Sequence, residues 1–178
     1  MERISIAAKD FMVNPHARWS AQWMLLTAGD FQAGHFNTMT VGWGSFGTMW
    51  NKPFAQVVVR PTRYTFEFID RYPTFTLCGL PASHCSALQV LGTVSGRDED
   101  KIAKAGLTPI SLSHAAAPGF AEADLIIECQ KIYWDDFKPE RFLDSNIDNN
   151  YPLKDYHRIY FGEILAITGT RDYTRQRG

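Results

Sequence analysis

The chain has 178 residues, of which 45% are hydrophobic and 13% aromatic, and carries a net charge of −1. That length and apolar content suit a single domain, residues 1–178, able to build a substantial core. The near-neutral charge with scattered Lys and Arg argues against nucleic acid as a partner; no apolar run approaches the ~20 residues that span a bilayer, and MERISIAAKDF lacks an export-signal core, so a cytoplasmic protein with no membrane partner is expected.

In chain order, residues 23–28 (WMLLTA) form a short apolar run before a Gly29-Asp30 turn signal, and the Thr-rich residues 37–41 alternate loosely. Residues 54–60 (FAQVVVR), β-branched and apolar, read as a buried strand. Pro61 blocks continuation, Thr62 is placed to cap a helix reaching Asp70, and Tyr72-Pro73 ends it. Residues 74–79 read as another strand. Residues 83–91 read as a helix with Ser83 as N-cap, and residues 98–105 as a third helix closed by Gly106. Residues 111–120 are expected to loop, and 122–134 to form a strand centred on LIIECQKIYW. Residues 136–144 read as one helical turn or more, 147–152 as a turn-rich connector, and 156–167 as a long final strand. Strands at both ends, with helices between them and no regular βαβ alternation, point to a mainly β fold: an antiparallel barrel with helical insertions.

Cys78, Cys85 and Cys129 are odd in number and lack a C-x-x-C pair, which speaks against a disulfide framework and fits a reducing compartment. Cys78 and Cys129 sit in apolar runs and read as buried, inert thiols. The many Trp and Phe fit either an aromatic-rich core or a wide apolar interface between subunits. The basic tail, residues 171–177, reads as a solvated end. His16, His35, His84 and His114 are isolated, so no metal site is expected.

The most informative stretch is NTMTVGWGSFGTMWNKPFAQVVVRPTRYT, residues 37–65. Gly42-Trp43-Gly44-Ser45-Phe46-Gly47 matches the G-x-G-x-x-G dinucleotide fingerprint by letter. A helix should open at the third glycine, yet Asn51-Lys52-Pro53 and a β-branched run follow, so the motif reads as a strand continuing into a loop. There the glycines let backbone N–H groups approach a planar ligand. Arg60, Thr62, Arg63, Tyr64 and Thr65 then combine guanidinium groups, hydroxyls and a helix start, the donors a phosphate monoester needs. Trp43, Trp50 and Tyr64 offer flat apolar surface for an aromatic ring system. An aromatic ligand with a phosphate tail, such as FMN, fits both halves.

MTVGWGSFG, the following KP, VRPTRYT and the later HRIYFGEI together resemble the flavin reductase-like family with the FMN-binding split-barrel fold, over residues 23–167. The resemblance implies a homodimer of split barrels with one FMN per subunit near the interface. It places Thr40, Val41, Gly42, Trp43, Gly44 and Ser45 beside the isoalloxazine, with the phosphate held by the stretch from Arg60 to Thr65, and His157 near the flavin or a nicotinamide. Many relatives carry Ser-x-x-Pro-Pro where this chain reads Trp50-Asn51-Lys52-Pro53; Thr48 or Trp50 stands where the missing hydroxyl would be. The implied activity is NAD(P)H-dependent flavin reduction with onward transfer to an unknown acceptor. The alternatives are a flavoredoxin-like electron carrier without direct nicotinamide oxidation, or an FMN-binding module.

Overall fold

A computed structural model describes residues 2–175. In chain order the strands are β1 (Ile4–Ser5), β2 (Met24–Asp30), β3 (His35–Val41), β4 (Gly44–Met49), β5 (Lys52–Val59), β6 (Thr74–Gly79), β7 (Pro109–Ile110), β8 (Gly119–Phe120), β9 (Leu125–Asp136) and β10 (Arg158–Gly169). The helices are the short α1 (Pro15–Ala17), which runs on into a π-turn, then α2 (Tyr64–Arg71), α3 (Cys85–Thr93) and α4 (Lys101–Lys104). Strands β7 and β8 pair with each other; the rest form one antiparallel sheet in the order β3-β2-β6-β9-β10-β5-β4, with β1 on β10. The edge strands β3 and β4 are neighbours in sequence, separated by Gly42 and Trp43, and do not pair. The sheet is a split barrel, open along that seam.

Residues 24–28 of β2, β6 and residues 125–129 of β9 are buried on both faces and mostly apolar, and the buried Thr27, Thr74, Thr76 and Glu128 among them are each hydrogen-bonded. Leu26, Phe75, Leu77 and Ile127 point into the barrel with Val57, Val59 and Tyr160. Leu25, Cys78 and Ile126 point outward under Leu88, Leu91, Leu107 and Phe120 from the helical insertion. Each fully buried Leu, Ile or Phe contributes about 1.5–3 kcal/mol of transfer free energy. Helix α2 plugs one end of the barrel with Phe68 and Ile69. Cys78 and Cys129 are buried, and burial pushes the Cys78 thiol up to about 12, which leaves it inert; all three cysteines are free.

Several local expectations are corrected. Gly29 and Asp30 are the last residues of β2, and the reversal comes after them. Residues 44–49 form a strand rather than a loop, because pairing with β5 from Gly44↔Val57 to Met49↔Lys52 overrides the weak strand propensity of Gly and Ser. The chain reverses at Trp50 and Asn51, with φ of 53° and 58°, the left-handed pair of a two-residue hairpin turn. Helix α2 begins at Tyr64 with Arg63 as an uncapped N-cap; the Thr62 hydroxyl donates to Asp155 Oδ2 at 3.4 Å instead. Ser83 does not cap α3, since a 3-10 turn, Ala82–His84, leads into it. Asp100 caps the shortened α4 by accepting from the N–H groups of Ile102 and Ala103, and left-handed Gly106 follows the helix.

The expected solvated tail is corrected at Tyr173 and Thr174 while Arg171, Asp172 and Arg175 are exposed, residues 176 and 177 lying outside the described residues. Tyr173 is buried, and Phe11 bridges to Thr174. Arg18, 5% exposed, donates from one Nη to the Tyr173 hydroxyl, with its guanidinium 5.4 Å from that ring's centre. Among the described residues no helix is long and apolar enough to cross a membrane, and no group of His, Cys, Asp and Glu is arranged to hold a metal.

Gly44 marks where the open edge is packed most tightly. A Cβ there would lie 2.5 Å from the Gln56 carbonyl oxygen and 2.5 Å from the Trp19 ring. Gly44→Ala is therefore expected to destabilise the fold by about 1–3 kcal/mol, measured by urea denaturation.

Candidate functional site

Three adjoining clefts follow the open seam. The first, about 220 Å³, lies among Thr40, Val41, Gly42, Trp43, Arg60 and His157. The second, about 260 Å³, lies between β3 and α3, walled by Trp23, Leu88 and Gly92. The third, about 190 Å³, lies at the start of α2, among Thr62, Tyr64, Thr65, Ser95 and Lys101. Thr40 and Gly42 border the first two, Arg63 the first and third, and Thr93 the second and third, so they form one continuous groove. Two larger hollows do not reach these residues: one of about 500 Å³ lies between residues 8–15 and the β4–β5 hairpin, and one of about 840 Å³ between residues 4–10 and 171–175.

The third cleft is the cationic end. The first N–H groups of an α-helix have no acceptor within it, and here they belong to α2. Thr65 is buried and accepts from Asn37 Nδ2 at 2.7 Å. Gly96 lets the chain cross directly over Asn37: a Cβ there would lie 2.3 Å from Asn37 Oδ1. Lys101 is buried, with its Nζ 3.2 Å from the Val94 carbonyl and 3.4 Å from that of Leu91, at the end of α3. Burial, and then Arg63, pull its pKa down to about 8. Arg63 donates to the Gly92 carbonyl at 2.8 Å, and burial followed by the Arg60 charge lowers its pKa. Arg97 lies 4.6 Å over the Tyr64 ring and pairs with Glu67. Hydroxyls, helix N–H groups and desolvated cations make this end an anion acceptor.

The other end is organised by Arg60. The sequence offered Arg60 or Arg63 as a chelator of phosphate oxygens, and the two have different partners. Arg60 donates to Asp155 Oδ1 and to the Asn150 carbonyl, both at 2.7 Å, and lies 4.8 Å over the Tyr151 ring. These bonds fasten the 150–155 loop against β5 at the first cleft, which Arg60 borders, while Arg63 borders both the first cleft and the cationic one. That loop positions His157, which is 9% exposed, has its ring centre 5.0 Å from that of Trp43, and has Nδ1 2.8 Å from the Tyr151 hydroxyl. Burial, reinforced by Arg60 and opposed by Asp155, pushes the imidazole pKa down to about 4.

Thr40, Val41, Gly42, Trp43, Arg60, Arg63 and His157 are thus brought together, as are Thr62, Tyr64 and Thr65 at the cationic end. Gly44, Ser45 and Trp50 stand apart from both groups. Gly44 backs onto Trp19, Ser45 donates to Gln56 at 2.8 Å, and Trp50 sits at the hairpin turn against Tyr133 and Phe161. Thr48 borders the 500 Å³ hollow instead of the groove. Asn37, Trp23, Ser95 and Lys101 were not singled out from sequence. Of these, Trp23 carries a signal visible only in the backbone: φ of 57° with ψ of 171°, a conformation that costs a bulky residue free energy, on the wall of the apolar cleft.

The depressed histidine pKa has a thermodynamic consequence. Below pH 6.5 the unfolded chain protonates this imidazole, while the folded one resists until about pH 4. Stability is therefore retained above 6.5 and lost as the pH falls through that window. Between pH 7 and 4, wild type should lose on the order of 2 kcal/mol more unfolding free energy than His157→Gln, by denaturant titration at each pH.

The sequence profile described as "Flavin reductase like domain" matches residues 17–175. No curated protein matches the sequence. Among solved structures, an FMN-binding domain of a flavin reductases-like enzyme from Shewanella baltica superposes with a TM-score of 0.68 at 15% identity, covering 98% of this chain and 83% of that one. The flavoredoxin of Desulfovibrio vulgaris gives 0.67 at 22% identity, covering 90% and 76%. An NADH:FAD oxidoreductase of Streptomyces globisporus gives 0.62 at 16% identity, covering 82% and 74%. At these identities the likeness is one of fold.

Proposed function

This chain belongs to the flavin reductase-like domain family, and from that premise we propose that it is an FMN-dependent NAD(P)H oxidoreductase of the cytoplasm, one FMN-binding domain over residues 1–178. The observation that carries the reading is the groove: a cationic, hydroxyl-rich end running without interruption into an apolar, backbone-lined middle. A phosphate dianion suits the first part and a planar ring system the second, so the residues fit FMN. Thr62, Arg63, Tyr64, Thr65, Ser95 and Lys101 would hold the phosphate, and Thr40, Val41, Gly42 and Trp43 the ring, with Arg60 acting through the loop it fastens. Gly44, Ser45 and Trp50 are left out of this assignment.

A bound flavin supplies a hydride acceptor at N5, where a nicotinamide delivers. The protein then needs no buried general base. The β3–β4 link gives backbone donors and the Trp43 face orients a planar partner. His157 stays neutral at physiological pH, so no cation faces an incoming nicotinamide from that position. Anaerobic mixing of the FMN-loaded protein with NADH or NADPH is expected to bleach the flavin's visible band within seconds. Its persistence would move the protein to the electron carriers.

Arg63→Ala is expected to weaken FMN binding by about 1.5–3 kcal/mol, the loss of a charge-assisted hydrogen bond, while riboflavin binds as it does to wild type. Equal losses for both ligands in parallel titrations would make Arg63 a folding residue instead.

A homodimer is part of the same proposal. Trp50 (56% exposed), Tyr133 (44% exposed) and Phe161 form an aromatic cluster across the β4–β5 turn, β9 and β10, with ring centres about 6 Å apart. A second copy is the proposed cover for that face. Trp50→Asp should convert a dimer into a monomer in sedimentation velocity, leaving the far-UV spectrum unchanged.

A further inference from the structure

Beside the groove lies a buried pair that the proposed hydride chemistry does not use. Tyr151 is 1% exposed, and its hydroxyl lies 2.8 Å from His157 Nδ1. The His157 backbone N–H also faces the phenol oxygen, and among the described residues no other side chain hydrogen-bonds to either group. Two proton arrangements satisfy that distance. If Nδ1 carries the proton, the phenol accepts and its own hydrogen is stranded in the interior. If the phenol donates, Nδ1 is the acceptor and both groups are satisfied at once. A stranded buried donor costs about 1–3 kcal/mol, which decides between them. Burial also raises the phenol's pKa, so the hydrogen is present to be donated.

We propose that Tyr151 is a positioning residue: its hydroxyl fixes His157 as the neutral Nε2–H tautomer, so that the groove presents a hydrogen-bond donor, and not a base, to an acceptor atom of its ligand. Tyr151 does not border the first cleft, whereas His157 does. The imidazole edge carrying Nδ1 is turned inward, and the opposite edge, with Nε2–H, remains for the groove. The charged groups around the ring are Arg60, at the end of β5, and Asp155, in the loop before β10; Trp43 and Phe137 supply its apolar neighbours. A ligand satisfying this donor carries a lone pair at that wall, as a carbonyl oxygen or an unprotonated ring nitrogen does. A pocket built this way favours the neutral, carbonyl-bearing edge of a heterocycle over a protonated one.

The tautomer part stands without any ligand; the donor's target rests on the FMN reading. The test is a long-range ¹H–¹⁵N correlation spectrum of histidine-labelled protein at pH 7, free of flavin, with His157 assigned by loss of its signals in His157→Gln. The expected wild-type pattern has the proton on Nε2 and a bare Nδ1. A proton on Nδ1, or on both nitrogens, overturns the proposal, and this decision needs no Tyr151 variant to fold. In Tyr151→Phe the pattern is expected to shift toward a mixture of tautomers; an unchanged pattern also overturns it. An FMN titration separates the two readings. If wild type binds FMN, Tyr151→Phe is expected to bind it about fivefold more weakly, the worth of one neutral hydrogen bond. Unchanged affinity with an altered tautomer overturns the donor role toward the ligand. If wild type fails to bind FMN, the flavin assignment falls and the tautomer result is judged on the spectrum alone.

Discussion

The barrel is held by its strand ladders everywhere except between β3 and β4, where Gly42 and Trp43, neither with the positive φ of a tight hairpin turn, carry the chain on without folding it back. Closing that gap would satisfy the edge N–H and C=O groups of both strands. Leaving it open keeps a row of backbone donors unpaired beside a hollow, and β3 meets α3 across the gap. Trp19 and Phe46 fill the space behind β4, with ring centres 5.2 Å apart, and so hold the edge away from β3. Each part of the groove takes its position from that separation.

A second constraint is electrostatic. Arg60, Arg63 and Lys101 crowd one side of the molecule, and the cationic forms of Arg63 and Lys101 are each disfavoured by burial and by a neighbouring cation. Such an arrangement is poor for stability and well suited to a dianion, whose charge would relieve both effects. Arg60 escapes the conflict through Asp155. The two arginines of one short motif thereby differ: Arg60 fastens a loop at the first cleft, and Arg63 borders both that cleft and the cationic one.

Much of the architecture was legible in the sequence. Residues 74–79 are bracketed by Pro73 and the Gly79-Leu80-Pro81 break and came out as a strand with those bounds. The antiparallel barrel with helical insertions followed from the order of strands and helices, and its split form from the family resemblance. Gly44–Met49 was illegible as a strand because its pairing with β5, not its composition, decides its conformation. The Thr62 cap failed because a turn closed by the Arg63 N–H on the Arg60 carbonyl, at 3.0 Å, occupies residues 60–63 and moves the helix start on to Tyr64. Lys101 joins the groove only because α4 packs on α3 and α3 on β3, and Asn37 acts behind it by donating to Thr65 of α2, long-range contacts that local pattern does not encode.

The Arg18–Tyr173 contact bears on how the chain ends. A guanidinium sits in the interior with one Nη satisfied by a phenol from the last turn, while its Nε and other Nη find no protein partner. The C-terminal turn therefore works as a stopper. Clipping the chain just after β10 would take the phenol from a buried guanidinium and from the Asp124 carboxylate beside it, so a cut at the periphery would be felt as an injury to the centre.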